Sequence, residues 1–101
     1  MVLKNIGPAE NFPVGKGTCI EVEGKRYAVY NTTGQYYAID DACPHAGGFF
    51  SDGNMTGTTA YCPLHGASVD VRTGVCGPPS ASDVETYDVS CDSTDLFLHV
   101  D

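Results

Sequence analysis

The chain has few basic residues, no long apolar run and no helical repeat of hydrophobic side chains. Its 101 residues include only five lysines and arginines against thirteen aspartates and glutamates, giving a formal net charge of −8 at pH 7. This excess of acids argues against nucleic acid or an anionic membrane as a partner and favours docking to a basic protein surface. With no apolar run of membrane-spanning length and no secretory signal pattern, we expect a soluble, cytoplasmic protein.

The chain has five cysteines and three histidines, and half of these eight residues fall in two short segments. The first is Cys43-Pro44-His45, and the second, after sixteen intervening residues, is Cys62-Pro63-Leu64-His65. Glycines follow both segments, at Gly47-Gly48 and at Gly66. Two loops that each present one thiol and one imidazole indicate a metal centre with two cysteine and two histidine ligands.

The pattern C-x-H…C-x2-H with these glycines resembles the cluster-binding signature of Rieske proteins. The resemblance implies one [2Fe–2S] cluster, with Cys43 and Cys62 on one iron and His45 and His65 on the other. Two thiolates and two neutral imidazoles leave the oxidised cluster neutral, so an electron is added more easily than to a cluster held by four thiolates. The chain is therefore expected to carry electrons.

A structural zinc ion is the alternative for the same four side chains. Zinc sites commonly pair like ligands, as C-x2-4-C and H-x3-5-H, whereas each segment here mixes cysteine with histidine. A zinc finger is also expected to place a helix between the ligand pairs, where residues 51–57 are rich in turn formers. The ligand order therefore favours the cluster.

Strand signals dominate the rest of the chain. Runs rich in β-branched and aromatic residues, bounded by turn formers, predict strands at 18–22, 26–30, 35–39, 58–61, 68–71, 75–76, 85–89 and 96–100. In the last run Leu96, Leu98 and Val100 alternate with Phe97 and His99, so His99 is expected to point outward. We predict a single all-β domain over residues 1–101, a Rieske-like domain of small antiparallel sheets with the cluster held at the tips of two loops.

Three cysteines lie outside the two segments, at Cys19, Cys76 and Cys91. In a reducing compartment we expect them to be small buried hydrophobic residues. A disulfide framework is not expected, because Cys43 and Cys62 are needed as thiolates and three remaining cysteines cannot pair completely.

A rigid stretch, Gly77-Pro78-Pro79, follows the second segment. Rieske domains carry a proline-containing third loop that covers the cluster, and by resemblance these residues match it. The alternative is that the prolines only join two hairpins.

Two departures from the high-potential branch of the family predict a low potential. In that branch an additional cysteine in each ligand loop forms a disulfide that braces the cluster, and here the matching positions are Gly48 and Leu64. The hydroxyl residues that bond cluster sulfurs there are replaced by Ala67 and Val69, while Ser68 is displaced by one position. Loss of donors to sulfur destabilises the more negative, reduced cluster and so lowers the potential.

The resemblance implies a low-potential ferredoxin with two partners. The donor would be a flavin-dependent ferredoxin reductase, and the acceptor a terminal Rieske oxygenase, often one acting on aromatic rings. The chain is not expected to be an oxygenase itself, because a two-His-one-carboxylate iron site would have only His99 left. A small Rieske-like subunit of a nitrite reductase or of another larger enzyme is the alternative function.

Acidic residues near the two segments predict how the carrier docks. A ring of acids at the cluster end would steer a basic patch of the partner towards the histidine-bound iron. The candidates are Asp40, Asp41, Asp52, Asp83 and Glu85. If docking is apolar instead, the candidate contacts are Phe49, Phe50, Leu64 and Pro78.

Overall fold

The computed structural model describes residues 2–44, 48–64, 66–77 and 82–100. These residues form strands β1 (Val2–Pro8), β2 (Gly17–Val22), β3 (Lys25–Asn31), β4 (Tyr36–Asp40), β5 (Met55–Thr56), β6 (Thr59–Tyr61), β7 (Ser68–Asp70), β8 (Thr86–Tyr87), β9 (Val89–Cys91) and β10 (Asp95–Val100). Short 3-10 turns lie at Ala9–Asn11 and Phe50–Asp52. No helix among these residues is long and apolar enough to cross a membrane.

The strands form three small sheets. The middle sheet has the order β2-β3-β4-β8, a second sheet has the order β1-β10-β9, and a third has the order β5-β6-β7. Neighbouring strands are antiparallel in all three. The predicted all-β class with small antiparallel sheets is therefore confirmed.

The middle sheet separates two hydrophobic cores. On β3, Ala28 and Tyr30 pack into a core that includes Cys43, whereas Tyr27 and Val29 pack into the other core. This division follows from strand geometry, because successive side chains point to opposite faces. The first core is completed by residues of β6 and β7 and the second by residues of β10. Because β3 is buried on both faces, its sequence is apolar without alternation.

Residues 41–85 leave the middle sheet and return to it beside the point of departure. β4 and β8 are adjacent strands, with Ala38 opposite Tyr87, and the Asp40 N–H donates to the Glu85 carbonyl oxygen at 3.1 Å. This excursion, here named the inserted lobe, contains both Cys-His segments. The middle sheet thus forms the platform on which the two ligand loops stand.

Most predicted strands are found within one or two residues of their expected positions. The expected strand 85–89 is instead two strands, β8 and β9, on different sheets, and the intervening Asp88 carbonyl accepts the His99 N–H at 2.9 Å. In place of the predicted strand 75–76, the structure has one isolated bridge between Val69 and Cys76. The alternation in β10 is confirmed, although His99 is half-buried and its Nε2 lies 2.8 Å from Ser90 Oγ.

Candidate metal centre

The two ligand loops are closed by equivalent backbone hydrogen bonds. In loop 1 the Cys43 N–H donates to the Gly48 carbonyl oxygen at 2.8 Å, and in loop 2 the Cys62 N–H donates to the Ala67 carbonyl oxygen at 2.7 Å. Each bond joins the cysteine that opens a loop to the residue five positions later. The described residues that begin and end the two predicted ligand loops are therefore joined in the same way.

The two cysteines are brought together in the first core. Cys43 is 3% exposed and Cys62 is 2% exposed, and their thiols lie close enough to interact. Burial raises the pKa of the Cys62 thiol, the Leu64 N–H that bonds its sulfur opposes this shift, and the Cys43 thiol adds to it. A thiol must lose its proton to bind a metal, so metal uptake here is coupled to proton release. A buried thiol pair with a backbone donor to sulfur fits a cluster with two thiolate ligands.

The histidines and the third loop fall outside the described residues. The structure does not describe His45, His65, Pro78 or Pro79. Within the described ranges no three histidine, cysteine, aspartate or glutamate side chains gather to hold a metal. The four-residue ligand set and the covering role of the prolines are therefore still predictions.

The loops touch each other where the high-potential branch has its disulfide. A Cβ built on Gly48 would lie 3.2 Å from Leu64 Cγ and 2.9 Å from the Cys62 sulfur. No disulfide joins any two of the five cysteines, all of which are among the described residues. Packing of Leu64 over Gly48 thus takes the place of a covalent link between the loops.

The missing hydroxyls are not replaced by Ser68. Ala67 and Val69 are fully buried in the core that contains Cys62. Ser68 is half-buried on the opposite side of β7, and a Cβ built on Gly77 would lie 2.6 Å from its hydroxyl oxygen. The serine is therefore directed towards Gly77 and away from the core that surrounds the thiols.

The prediction that Asp41 is a docking acid is wrong. Asp41 is 0% exposed, and its carboxylate accepts hydrogen bonds from Arg26 and Ser51. Asp40 is half-buried and is engaged by its own chain, since Lys25 Nζ lies 2.9 Å from its Oδ1 and the Tyr87 hydroxyl donates to the same oxygen at 2.7 Å. Two of the five predicted docking acids are therefore neutralised within the fold.

The apolar docking alternative is also corrected at one residue. Phe50 is 0% exposed and belongs to the first core, so it is not available to a partner. Leu64 is 47% exposed and fits the expectation, and Phe49 is half-buried.

The expectation that the other cysteines are buried is wrong. Cys19 and Cys91 are exposed and Cys76 is half-buried. β2 and β9 are edge strands of their sheets. Cys19 lies on β2 opposite Ala28, with its thiol beside Asp41, and Cys91 is the last residue of β9. Composition alone treats cysteine as a small apolar residue, but an edge strand has one side without a covering neighbour.

Gly53 allows the two loops to stand close together. A Cβ at this position would overlap the Tyr61 carbonyl oxygen and would lie 3.2 Å from Pro63 Cδ. We expect Gly53→Ala to separate the base of loop 2 from the turn that follows loop 1, lowering the free energy of unfolding by about 1–3 kcal/mol. Iron retained per chain during dialysis against a chelator should fall.

The matched control for this prediction is Gly57→Ala in the same lobe. Gly57 has a positive φ of 60° but open space around its Cβ position, so the substitution adds backbone strain without the overlap. Equal iron retention in the two variants would contradict the packing role of Gly53.

Comparison with known proteins identifies the family. Residues 3–88 match the Rieske [2Fe-2S] domain. The ferredoxin component of the naphthalene 1,2-dioxygenase/salicylate 5-hydroxylase systems of Ralstonia sp is 34% identical over 94 residues, covering 91% of this chain and 89% of the relative. The ferredoxin component of the naphthalene 1,2-dioxygenase system of Pseudomonas aeruginosa is 38% identical over 88 residues, covering 85% and 84%. The chain belongs to the Rieske family and is a Rieske-type ferredoxin, an electron carrier with one [2Fe–2S] cluster.

Solved structures agree with this assignment. The ferredoxin of carbazole 1,9a-dioxygenase from Nocardioides aromaticivorans IC177 superposes with a TM-score of 0.91 at 28% identity, covering 97% of both chains. A putative nitrite reductase small subunit superposes with a TM-score of 0.85 at 19% identity, covering 99% of this chain and 100% of that one. The second likeness shows a shared fold alone. The match to the Rieske [2Fe-2S] domain confirms the predicted cluster carrier over the zinc alternative.

Proposed function

We propose that this ferredoxin accepts one electron from a flavin-dependent ferredoxin reductase and passes it to a terminal Rieske oxygenase that hydroxylates aromatic rings, in the cytoplasm. Cys43 and Cys62 hold one iron, and His45 and His65 hold the other. The observation that carries the ligation is the buried thiol pair at the start of two equivalently closed loops. The oxygenase as acceptor is supported by the relatives, which are ferredoxin components of dioxygenase systems.

The described surface at the loop tips is uncharged and largely apolar. Pro44 in loop 1 and Pro63 and Leu64 in loop 2 are all exposed. Apolar contacts between these tips and the partner exclude water around the electron-transfer path while keeping the interface small, which suits a carrier that must leave each partner quickly.

Exposed acids flank this apolar tip surface. Asp83 borders a groove of about 570 Å³ that Pro44 and Phe49 also line, and Asp52 precedes Gly53, which packs on the base of loop 2. Glu85 is exposed as well, at the base of the inserted lobe beside Asp40. We therefore assign electrostatic steering to these three acids and not to Asp40 or Asp41. Direct apolar contact with the partner is assigned to the loop tips.

The test is stopped-flow reduction of the ferredoxin by its reductase, and its oxidation by the oxygenase, as a function of salt. We expect the bimolecular rate to fall as the Debye length shrinks from about 30 Å to about 10 Å. The double variant Asp52→Asn/Asp83→Asn should flatten this dependence. Replacing the exposed Leu64 by Ala should slow transfer at every salt concentration, because it removes apolar contact area; unchanged iron content in this variant would show that lost packing on Gly48 is not the cause.

Glu10→Gln is the matched control for the charge change. Glu10 is exposed, and its neighbour Ala9 bonds Thr94, so it lies at the end of the β1-β10-β9 sheet, away from the inserted lobe. The bimolecular rate of the Glu10→Gln variant should depend on salt as that of the wild type does. Failure of the reduced ferredoxin to transfer electrons to any ring-hydroxylating oxygenase would refute the proposed acceptor.

A further inference from the structure

The two ligand loops stand on different kinds of stem. Loop 2 closes a regular hairpin in which β6 and β7 form three residue pairs, from Thr59 opposite Asp70 to Tyr61 opposite Ser68. In the described part of loop 1, the stem has a single bridge, between Ala42 and Phe49. A ladder of hydrogen bonds therefore fixes loop 2, whereas loop 1 needs another support.

The side chain of Asp41 supplies that support. On the side of the bridge away from the loop tip, the Asp41 backbone carbonyl oxygen accepts the Phe50 N–H at 2.9 Å. Its carboxylate then accepts the Ser51 N–H at Oδ1 and the Ser51 hydroxyl at Oδ2, both at 2.8 Å. Asp41 thus extends the stem of loop 1 by joining its two sides where the backbone no longer pairs.

Arg26 connects this stem to the middle sheet and balances its charge. Its Nε and Nη2 donate to Asp41 Oδ2 at 3.2 and 3.1 Å, and its guanidinium lies 3.7 Å from the centre of the Phe49 ring. Arg26 belongs to β3, while Phe49 forms the bridge that closes loop 1. One guanidinium therefore holds both sides of the loop 1 stem against the platform.

We infer that Asp41 and Arg26 are positioning residues that fix loop 1 for cluster binding and together set the local charge that the cluster experiences. The inference rests on the proposed ligation through Cys43, which lies two residues after Asp41. The carboxylate is fully buried, so its charge is poorly screened by water. With both partners present the pair is neutral, and loss of either one leaves an uncompensated charge beside the loop.

The opposite signs of the two charges give the inference its test. The midpoint potential of the holoprotein is measured by protein film voltammetry, with iron content and the electron paramagnetic resonance spectrum of the reduced state. Asp41→Asn leaves the guanidinium charge and is expected to shift the potential to more positive values. Arg26→Gln leaves the carboxylate charge and is expected to shift it to more negative values. The double variant should return close to the wild-type potential.

Asp40→Asn is the matched control, since it removes the same charge one residue earlier. The Asp40 side chain is 25% exposed and paired with Lys25, so its potential shift should be clearly smaller than that of Asp41→Asn. Ser51→Ala tests positioning without a charge change. It should leave the potential nearly constant while broadening the resonance lines and accelerating loss of iron to a chelator.

Hydrogen exchange gives a readout that does not depend on the spectrum or potential of the cluster. In the holoprotein, the Phe50 and Ser51 amides should lose protection in Ser51→Ala, which removes one bond to Asp41, and keep it in Asp40→Asn. Shifts of the same sign in Asp41→Asn and Arg26→Gln, or no shift in either, would overturn the inference even if both variants hold two irons. A wild-type protein without two irons and two sulfides would instead refute the proposed ligation.

Discussion

Cys43→Ser and Cys62→Ser are each expected to abolish cluster binding. Both thiolates are proposed to hold the same iron, and a serine hydroxyl remains protonated at neutral pH and is a poor ligand for ferric iron. The purified wild type should contain two irons and two acid-labile sulfides per chain, and either variant should contain none. Metal and sulfide analysis, with paramagnetic resonance after reduction, measures this directly.

Cys19→Ser and Cys91→Ser are the matched controls for the ligand variants. Both residues are exposed on edge strands. A hydroxyl at position 91 remains solvated, and a serine at position 19 keeps a hydrogen-bond donor for Asp41, so neither change should cost much. Their iron content and spectra should equal those of the wild type. Zinc without sulfide in the wild-type protein, or a normal spectrum in Cys62→Ser, would contradict the proposed ligand set.

The midpoint potential is expected near the negative end of the Rieske range, at about −150 mV. Ala67 and Val69 offer no hydroxyl to the cluster sulfurs, and the Ser68 hydroxyl is directed towards Gly77. Ala67→Ser adds one oxygen in the core that surrounds the thiols and should raise the potential, because a donor to sulfur stabilises the reduced state. Film voltammetry on both proteins measures the shift.

The companion substitution Val69→Tyr is expected to behave differently. Val69 is 1% exposed in a packed core, so a tyrosine there overfills the site and should cost about 1–3 kcal/mol of folding free energy. Ser68→Ala is the control, and its potential should equal that of the wild type. A clearly positive wild-type potential would show that backbone donors replace the missing hydroxyls.

Sequence patterns that span only a few residues predicted most of the strands and the positions of the two ligand loops. Strands β2, β3 and β10 are signalled by local composition and by the turns beside them, and the Cys-x-His and Cys-x2-His segments mark two loops that are closed in the same way. β1 was missed because its partner is β10, at the other end of the chain, where Val2 lies opposite Val100. No local pattern encodes such a long-range pairing.

The environment of individual polar residues was not predictable from the sequence. Asp40 and Asp41 are identical and adjacent in sequence, yet one is half-buried beside Lys25 and the other is fully buried beside Arg26. Burial of a carboxylate depends on donors from distant segments, here β3 and the turn at Ser51. The alternation of strand residues shows that neighbouring acids face opposite sides, but it does not show which side is covered.

The inserted lobe leaves and rejoins the platform at adjacent strands and shares the first core with it. The lobe joins the platform through neighbouring backbone positions, with Asp40 bonded to Glu85 at its two ends. The sheet that pairs the first and last strands lies on the other side of the platform and contributes no residue to the core around the thiols. A different lobe could therefore be inserted between β4 and β8 without changing the strand order of the platform, provided that it packs against Ala28 and Tyr30 and pairs with Arg26.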